Sequence, residues 1–178
     1  MRALRWLRAA AAGVLALTVL GAATGVQALR AHQNSSTTKA TVSHGVVSYI
    51  VDGDTIHARV GGQDVSVRVL GISAPEVAHE GTAAQCYGDA ATKTMAKYAP
   101  VGAKVTLTTD PSQAETDAYG RWLRYLTVAG HDVGLEQIVA GSAAARESNS
   151  PVERFQAYAR AARAAKAKNA GMWGACSK

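Results

Sequence analysis

The sequence predicts an α+β domain, a small five-stranded closed β-barrel decorated with about three helices. Residues 46–128 contain five short runs dense in β-branched and aromatic residues, each bounded by turn signals. A helix-like segment separates the third run from the fourth, and two more follow the fifth. Five strands with helices after the third and the fifth fit a closed barrel of the oligonucleotide-binding (OB) type.

The first run, residues 46–51, stops at Asp52-Gly53, a strong turn signal. Residues 55–60 and 65–70 flank Gly61-Gly62, the spacing of a tight hairpin, so the first three strands form a meander. Residues 104–109 and 122–128 supply the fourth and fifth strands. Residues 89–98 are rich in Ala, Lys and Met and end ahead of Pro100, which predicts a helix. Residues 133–140 repeat apolar side chains at helical spacing and end at Gly141. Ser150, Pro151 and Glu153 read as a cap, a first helical position and an acid in the first turn. The helix that follows is expected to place Val152, Phe155, Ala159 and Ala162 on its apolar face. Arg154, Arg163 and Lys168 fall largely off that face, toward solvent.

The 178 residues suffice for one domain with a real core. The start is a different kind of segment. Arg2, Arg5 and Arg8 precede an uncharged run over residues 9–29, the pattern of an export signal, with small residues for cleavage at Val26-Gln27-Ala28. An uncleaved membrane anchor is the alternative, since about 20 apolar residues span a bilayer. Either way the domain is expected outside the membrane, secreted or tethered by residues 1–28. Residues 29–43 are polar and aperiodic, the composition of a linker, so the domain is expected over 44–178.

Charge narrows the partners less than it first suggests. The chain has 19 basic and 13 acidic residues, a net +6; without residues 1–28 the counts become 16 and 13, about +3. That permits a polyanionic partner without requiring one. The two cysteines, Cys86 and Cys176, are expected to be bridged in an exported chain, two buried thiols being the alternative.

Three clusters carry the chemistry: Asp52-Gly-Asp-Thr55, Arg68-Val-Leu-Gly-Ile-Ser-Ala-Pro-Glu76 and Asp117-Ala-Tyr-Gly-Arg121. Hydrolysis of a phosphodiester needs a positioned nucleophile and neutralisation of charge on the phosphoryl oxygens. Arginine suits the second task because its planar fork grips two oxygens and stays charged. Arg68 alternates with Val67 and Val69 and so faces away from them. Arg121 follows Tyr119-Gly120, where glycine allows a sharp turn. Glu76 follows Pro75 at the exit of the third strand and can accept a proton from water. Asp52 is expected to shape its turn, and Asp54 to bind metal. His57 reads as a surface or barrel-rim residue, and His79 with Glu80 lies on a loop whose spacing need not converge on a metal. Neither a Ser/His/Asp arrangement nor a phosphate-cradling Gly-x-x-x-x-Gly-Lys loop stands out.

In this order and spacing the three clusters resemble the staphylococcal nuclease-like (thermonuclease) family, over about residues 46–173. The resemblance implies that Arg68 and Arg121 clamp the phosphate and that Glu76 is the general base. It implies a Ca2+ site at Asp54, Ser73 and Ala74, the last through its carbonyl, and a substrate contact at Tyr119. The substrates it implies are DNA and RNA, cut with little sequence preference by a monomer. Two positions depart from the family. Ser73 stands where the family has a second carboxylate ligand, and a hydroxyl brings no charge to a cation that prefers several anionic oxygens. Glu147 and Asn149 stand where tyrosines pack on the bound nucleotide, leaving Tyr87 and Tyr158 as the aromatics able to compensate. The alternative to an active nuclease is therefore a barrel that binds nucleic acid or nucleotides at the cell surface without cutting.

Overall fold

The computed structural model describes residues 39–147 and 150–176. The expected export segment, Asn149 and most of the linker lie outside the described residues. Among the described residues no helix is long and apolar enough to cross a membrane.

The five expected strands are present: β1 (Val42–Ile50), β2 (Thr55–Val60), β3 (Gln63–Val69), then β5 (Lys104–Thr108) and β6 (Trp122–Val128). Between them β4 (Ile72–Ser73) pairs with β8 (Ala144–Ala145), and β7 (His131–Asp132) extends the edge of β6. The main sheet runs β3-β2-β1-β5-β6-β7 and closes where β3 pairs with β6 in parallel. Alternation fills the barrel: Val47, Ile56, Ala58, Val67, Val69 and Leu107 are all fully enclosed.

Closure is what assembles the site. The parallel register sets Val67 opposite Trp122 and Arg68 opposite Leu123. Arg121 thereby comes beside the strand that carries Arg68. On the other edge of β3, Thr55 faces Arg68, and the Val69 amide donates to the Asp54 carbonyl at 2.9 Å. A strand pairing on each side thus brings two distant segments to one arginine.

The helices cover the barrel: α1 (Gly88–Tyr98), α2 (Val133–Val139), α3 (Phe155–Ala167) and a short α4 (Met172–Ala175). Cys86, just before α1, is bonded to Cys176, just after α4, with their Cα atoms 6.0 Å apart. A link across 90 residues contributes about 4.6 kcal/mol in the chain-entropy picture.

Two boundaries differ from expectation. The linker was expected to run through residue 43, but β1 begins at Val42, paired with Thr108, and Thr41 donates its amide to Thr109 Oγ1 at 2.8 Å. A free strand edge on β5 recruits these polar residues despite their composition. The helix expected from Pro151 begins instead at Phe155. Distant acceptors take the amides a cap would have served: Glu153 N–H donates to Asp110 Oδ2 at 2.7 Å and Arg154 N–H to Tyr125 Oη at 3.2 Å. Arg154 does not point to solvent. It pairs with Asp132 at 2.8 Å and lies over the Tyr125 ring. Tyr158, enclosed in the core, donates to the same carboxylate, so it is not available to a nucleotide.

Candidate active site

The Asp52–Thr55 turn is built to present one carboxylate inward. Asp52 Oδ1 accepts the Asp54 amide at 2.8 Å, which folds the turn. Gly53 leaves no room for a side chain, since a Cβ there would lie 2.6 Å from Ala74 Cβ and 2.8 Å from Ala91 Cβ. Buried Gln137, on α2, donates to the Gly53 carbonyl and clamps the turn from behind. Nothing local in an amphipathic helix marks Gln137 for this task.

Asp54 is only 3% exposed. Its Oδ2 accepts from Arg68 Nη2 at 3.0 Å and from the Ala74 amide at 2.8 Å, and its Oδ1 accepts from Thr55 Oγ1 at 3.1 Å. Burial pushes its pKa up to about 6, with Asp52 adding to the rise and Arg68 opposing it. Arg68 is held from two further sides, by the Val69 carbonyl at 2.8 Å and the Ile72 carbonyl at 3.0 Å. Burial lowers the Arg68 pKa; Asp54 opposes this, and the positive charges of Arg121 and Arg146 add to the lowering.

Arg121 is positioned by its own loop. Asp117 accepts from Arg121 Nε at 2.7 Å and from the amides of Tyr119 and Arg121 at 2.9 and 3.0 Å. Burial would raise the Asp117 pKa, but these hydrogen bonds outweigh it and hold the carboxylate charged. Gly120 closes the loop with φ +78°. The loop base is tied by Arg124, which bonds the carboxylate and the carbonyl of Glu115. Sequence reasoning named neither Asp117 nor Arg124 for these tasks, although Asp117 stood in the quoted cluster.

A cleft of about 410 Å³ opens between β3, this loop and the residues after β8. Arg68, Arg121 and Tyr119 all line it, Tyr119 being 87% exposed and within 5.5 Å of the Arg121 guanidinium. Arg146 and Glu147 line it as well. Arg146 went unmarked because its neighbours, Ala143 to Ala145, carry no chemical signal.

Glu76 is not part of the cleft wall. It lies exposed on the segment after β4, held by Gln85, whose Oε1 accepts the Glu76 amide at 3.0 Å. Ser73 is half-buried in β4, next to Ala74, whose amide is committed to Asp54. For a resident hard cation this donor set is thin: one carboxylate already engaged by three protein donors, a hydroxyl and a carbonyl. Among the described residues no three His, Cys, Asp or Glu side chains group as metal ligands. His57 stands at the barrel surface with Asp64 at 2.9 Å.

Residues 66–175 match the family described as Staphylococcal nuclease homologue. That span includes Arg68, Ser73, Ala74, Glu76, Asp117, Tyr119, Arg121, Gln137 and Arg146, whereas the Asp52–Thr55 turn lies ahead of it. The chain is 33% identical over 101 residues to a thermonuclease of Staphylococcus intermedius, covering 57% of this chain and 58% of the relative. It is 34% identical over 116 residues to "Probable endonuclease LCL3" of Nakaseomyces delphensis and 35% identical over 116 residues to that of Candida glabrata. Each of those two alignments covers 61% of this chain and 43% of the relative. The chain thus spans about half the length of the curated relatives it matches.

Proposed function

Because the chain belongs to the staphylococcal nuclease homologue family, we propose that it hydrolyses the phosphodiester bonds of DNA and RNA, with little sequence preference. The observation that carries this reading is the shared cleft of Arg68, Arg121 and Tyr119. Two guanidiniums from separate segments face one space of nucleotide size. Arg68, braced by Asp54 and two carbonyls, meets the phosphate already oriented, which limits the reorganisation needed as charge builds. Arg121, braced by Asp117, approaches from the loop that leads into β6, the strand paired with β3. Tyr119 offers its exposed ring to a base or sugar. Glu76 lies off the cleft wall on the exposed segment after β4, and its role as the base that accepts the proton of the attacking water rests on the family resemblance.

Ca2+ is the cation in this reading, weakly held near Asp54, Ser73 and the Ala74 carbonyl and arriving with the substrate phosphate. When bound, it would neutralise charge on the phosphoryl oxygens. The protein acts as a monomer outside the cytoplasm, secreted or tethered by residues 1–28.

The purified full chain should degrade plasmid DNA and RNA in Ca2+ and stop in a chelator. A folded protein that cuts neither substrate in Ca2+, Mg2+ or Mn2+ removes this function. One observation favours a second reading, a nucleic-acid binder that does not cut: protein donors already engage both Asp54 carboxylate oxygens, and Ser73 adds no charge. That reading predicts salt-sensitive binding of single strands without turnover.

A further inference from the structure

Three guanidiniums, not two, surround the cleft, and they differ in how they are held. Arg68 is paired with Asp54 and Arg121 with Asp117. Arg146 is exposed, and among the described residues its side chain has no ion pair or hydrogen bond.

Its placement beside the other two follows from the smallest sheet in the fold. Ile72 pairs with Ala145, and the Arg146 amide donates to the Gly71 carbonyl at 2.8 Å. The Ile72 carbonyl is also where Arg68 Nη2 rests, at 3.0 Å. One dipeptide, Gly71-Ile72, therefore holds the Arg68 guanidinium on one carbonyl and the Arg146 backbone on the other. Like charges repel, and among the described residues no acid forms an ion pair with the third. A cleft left with surplus positive charge attracts an anion with more than one charged group.

Building on the nuclease reading, we propose that Arg146 forms a second phosphate subsite, so that the cleft holds two neighbouring phosphates of one nucleic-acid strand. Arg68 and Arg121 take the phosphate to be cleaved, and the exposed fork of Arg146 takes the next one. Affinity that stacking would supply elsewhere comes here from charge. Glu147, the adjacent acid on the cleft wall, opposes this subsite and sets its strength.

Binding of short probes to the full chain in chelator, where nothing turns over, tests the subsite apart from catalysis. The probes are the dinucleotide TpT and its end-phosphorylated forms pTpT and TpTp. One end-phosphorylated form should bind about tenfold more tightly than TpT, the worth of one charge-assisted contact. Arg146→Ala should erase that gain while lowering TpT affinity far less, and Arg146→Lys should keep part of the gain. Glu147→Gln should enlarge the gain. With a longer oligonucleotide, Arg146→Ala should reduce the salt slope by about one. The hydrogen bond from the Arg146 backbone N–H to the Gly71 carbonyl survives these substitutions, so each variant is expected to fold. An equal gain in Arg146→Ala and the parent, or no gain in the parent, overturns the subsite. Failure to cut plasmid overturns the nuclease and leaves this measurement standing.

Discussion

Arg68 donates to Asp54 across 3.0 Å with side chains only 12% and 4% accessible, so the proposed phosphate clamp and the proposed cation ligand are also one buried ion pair. Removing either side chain leaves the other buried without its hydrogen-bond partner. Asp54→Ala should destabilise the domain by about 3 kcal/mol at neutral pH, measured by urea unfolding. Lost cleavage in that variant would not by itself identify a metal ligand. The group also has a pH signature. The folded chain keeps the Asp54 proton up to about pH 6, whereas the unfolded value is 3.8. Through this group, acidification from 6 to 3.8 favours the folded state, and the gain is lost as pH rises through 6. Asp54→Asn should remove that pH dependence. Equal stability of Asp54→Ala and the parent would show that water already screens Arg68.

Ser73→Asp places a second carboxylate beside Ala74, whose amide holds Asp54. Without cation, the two acids repel, and the variant should be about 1 kcal/mol less stable than the parent. With Ca2+ the order should reverse. Cation at a hundred times its Kd stabilises by about 2.7 kcal/mol, a rise in Tm the parent should not show. Thermal unfolding across a Ca2+ series reads both effects without depending on cleavage. Matching responses in variant and parent would mean that residues 73 and 54 do not share a cation.

The barrel was legible because each strand carries its own signal: β2 and β6 begin and end where alternation and turn residues place them. The Arg68–Arg121 convergence was legible only through the family resemblance, since the β3–β6 register that produces it leaves no local mark. The start of α3 was misread because Ser150 and Pro151 form a plausible cap while Asp110 and Tyr125, far away in sequence, hold the real one. Gln137 reaches the carbonyls of Gly53 and Ala91, and the Arg146 amide reaches the Gly71 carbonyl, each far away in sequence. Contacts of that kind have no period and no motif, so composition and spacing pass over them.

Asp117 holds Arg121 and its loop through three hydrogen bonds but contributes little to the core. Asp117→Ala should lower kcat/KM for plasmid cleavage about tenfold, because a misplaced guanidinium loses alignment with the phosphate. Stability should change by less than about 1 kcal/mol, as expected for a partly exposed pair. Steady-state kinetics beside urea unfolding separates the two effects. A large stability loss would assign Asp117 to folding instead of positioning.

Asp110 joins three segments with one carboxylate. Oδ2 accepts from Tyr125 Oη at 2.6 Å and the Glu153 amide at 2.7 Å, and Oδ1 accepts from Ser112 Oγ at 2.7 Å and its amide at 2.9 Å. Burial would raise the Asp110 pKa, but these four donors together hold it below the ordinary 3.8. A carboxylate lowered on folding contributes stability above pH 3.8, and the contribution is lost as pH falls through the lowered value. Asp110→Asn should therefore cost about 2 kcal/mol at pH 7, through weakened bonds to Tyr125 and to the entrance of α3. The gap between parent and variant should narrow below pH 3.8, as the parent takes up its proton. Urea midpoints from pH 7 to pH 2 measure it, and a gap constant over that range would place the energy in packing, not in the charge.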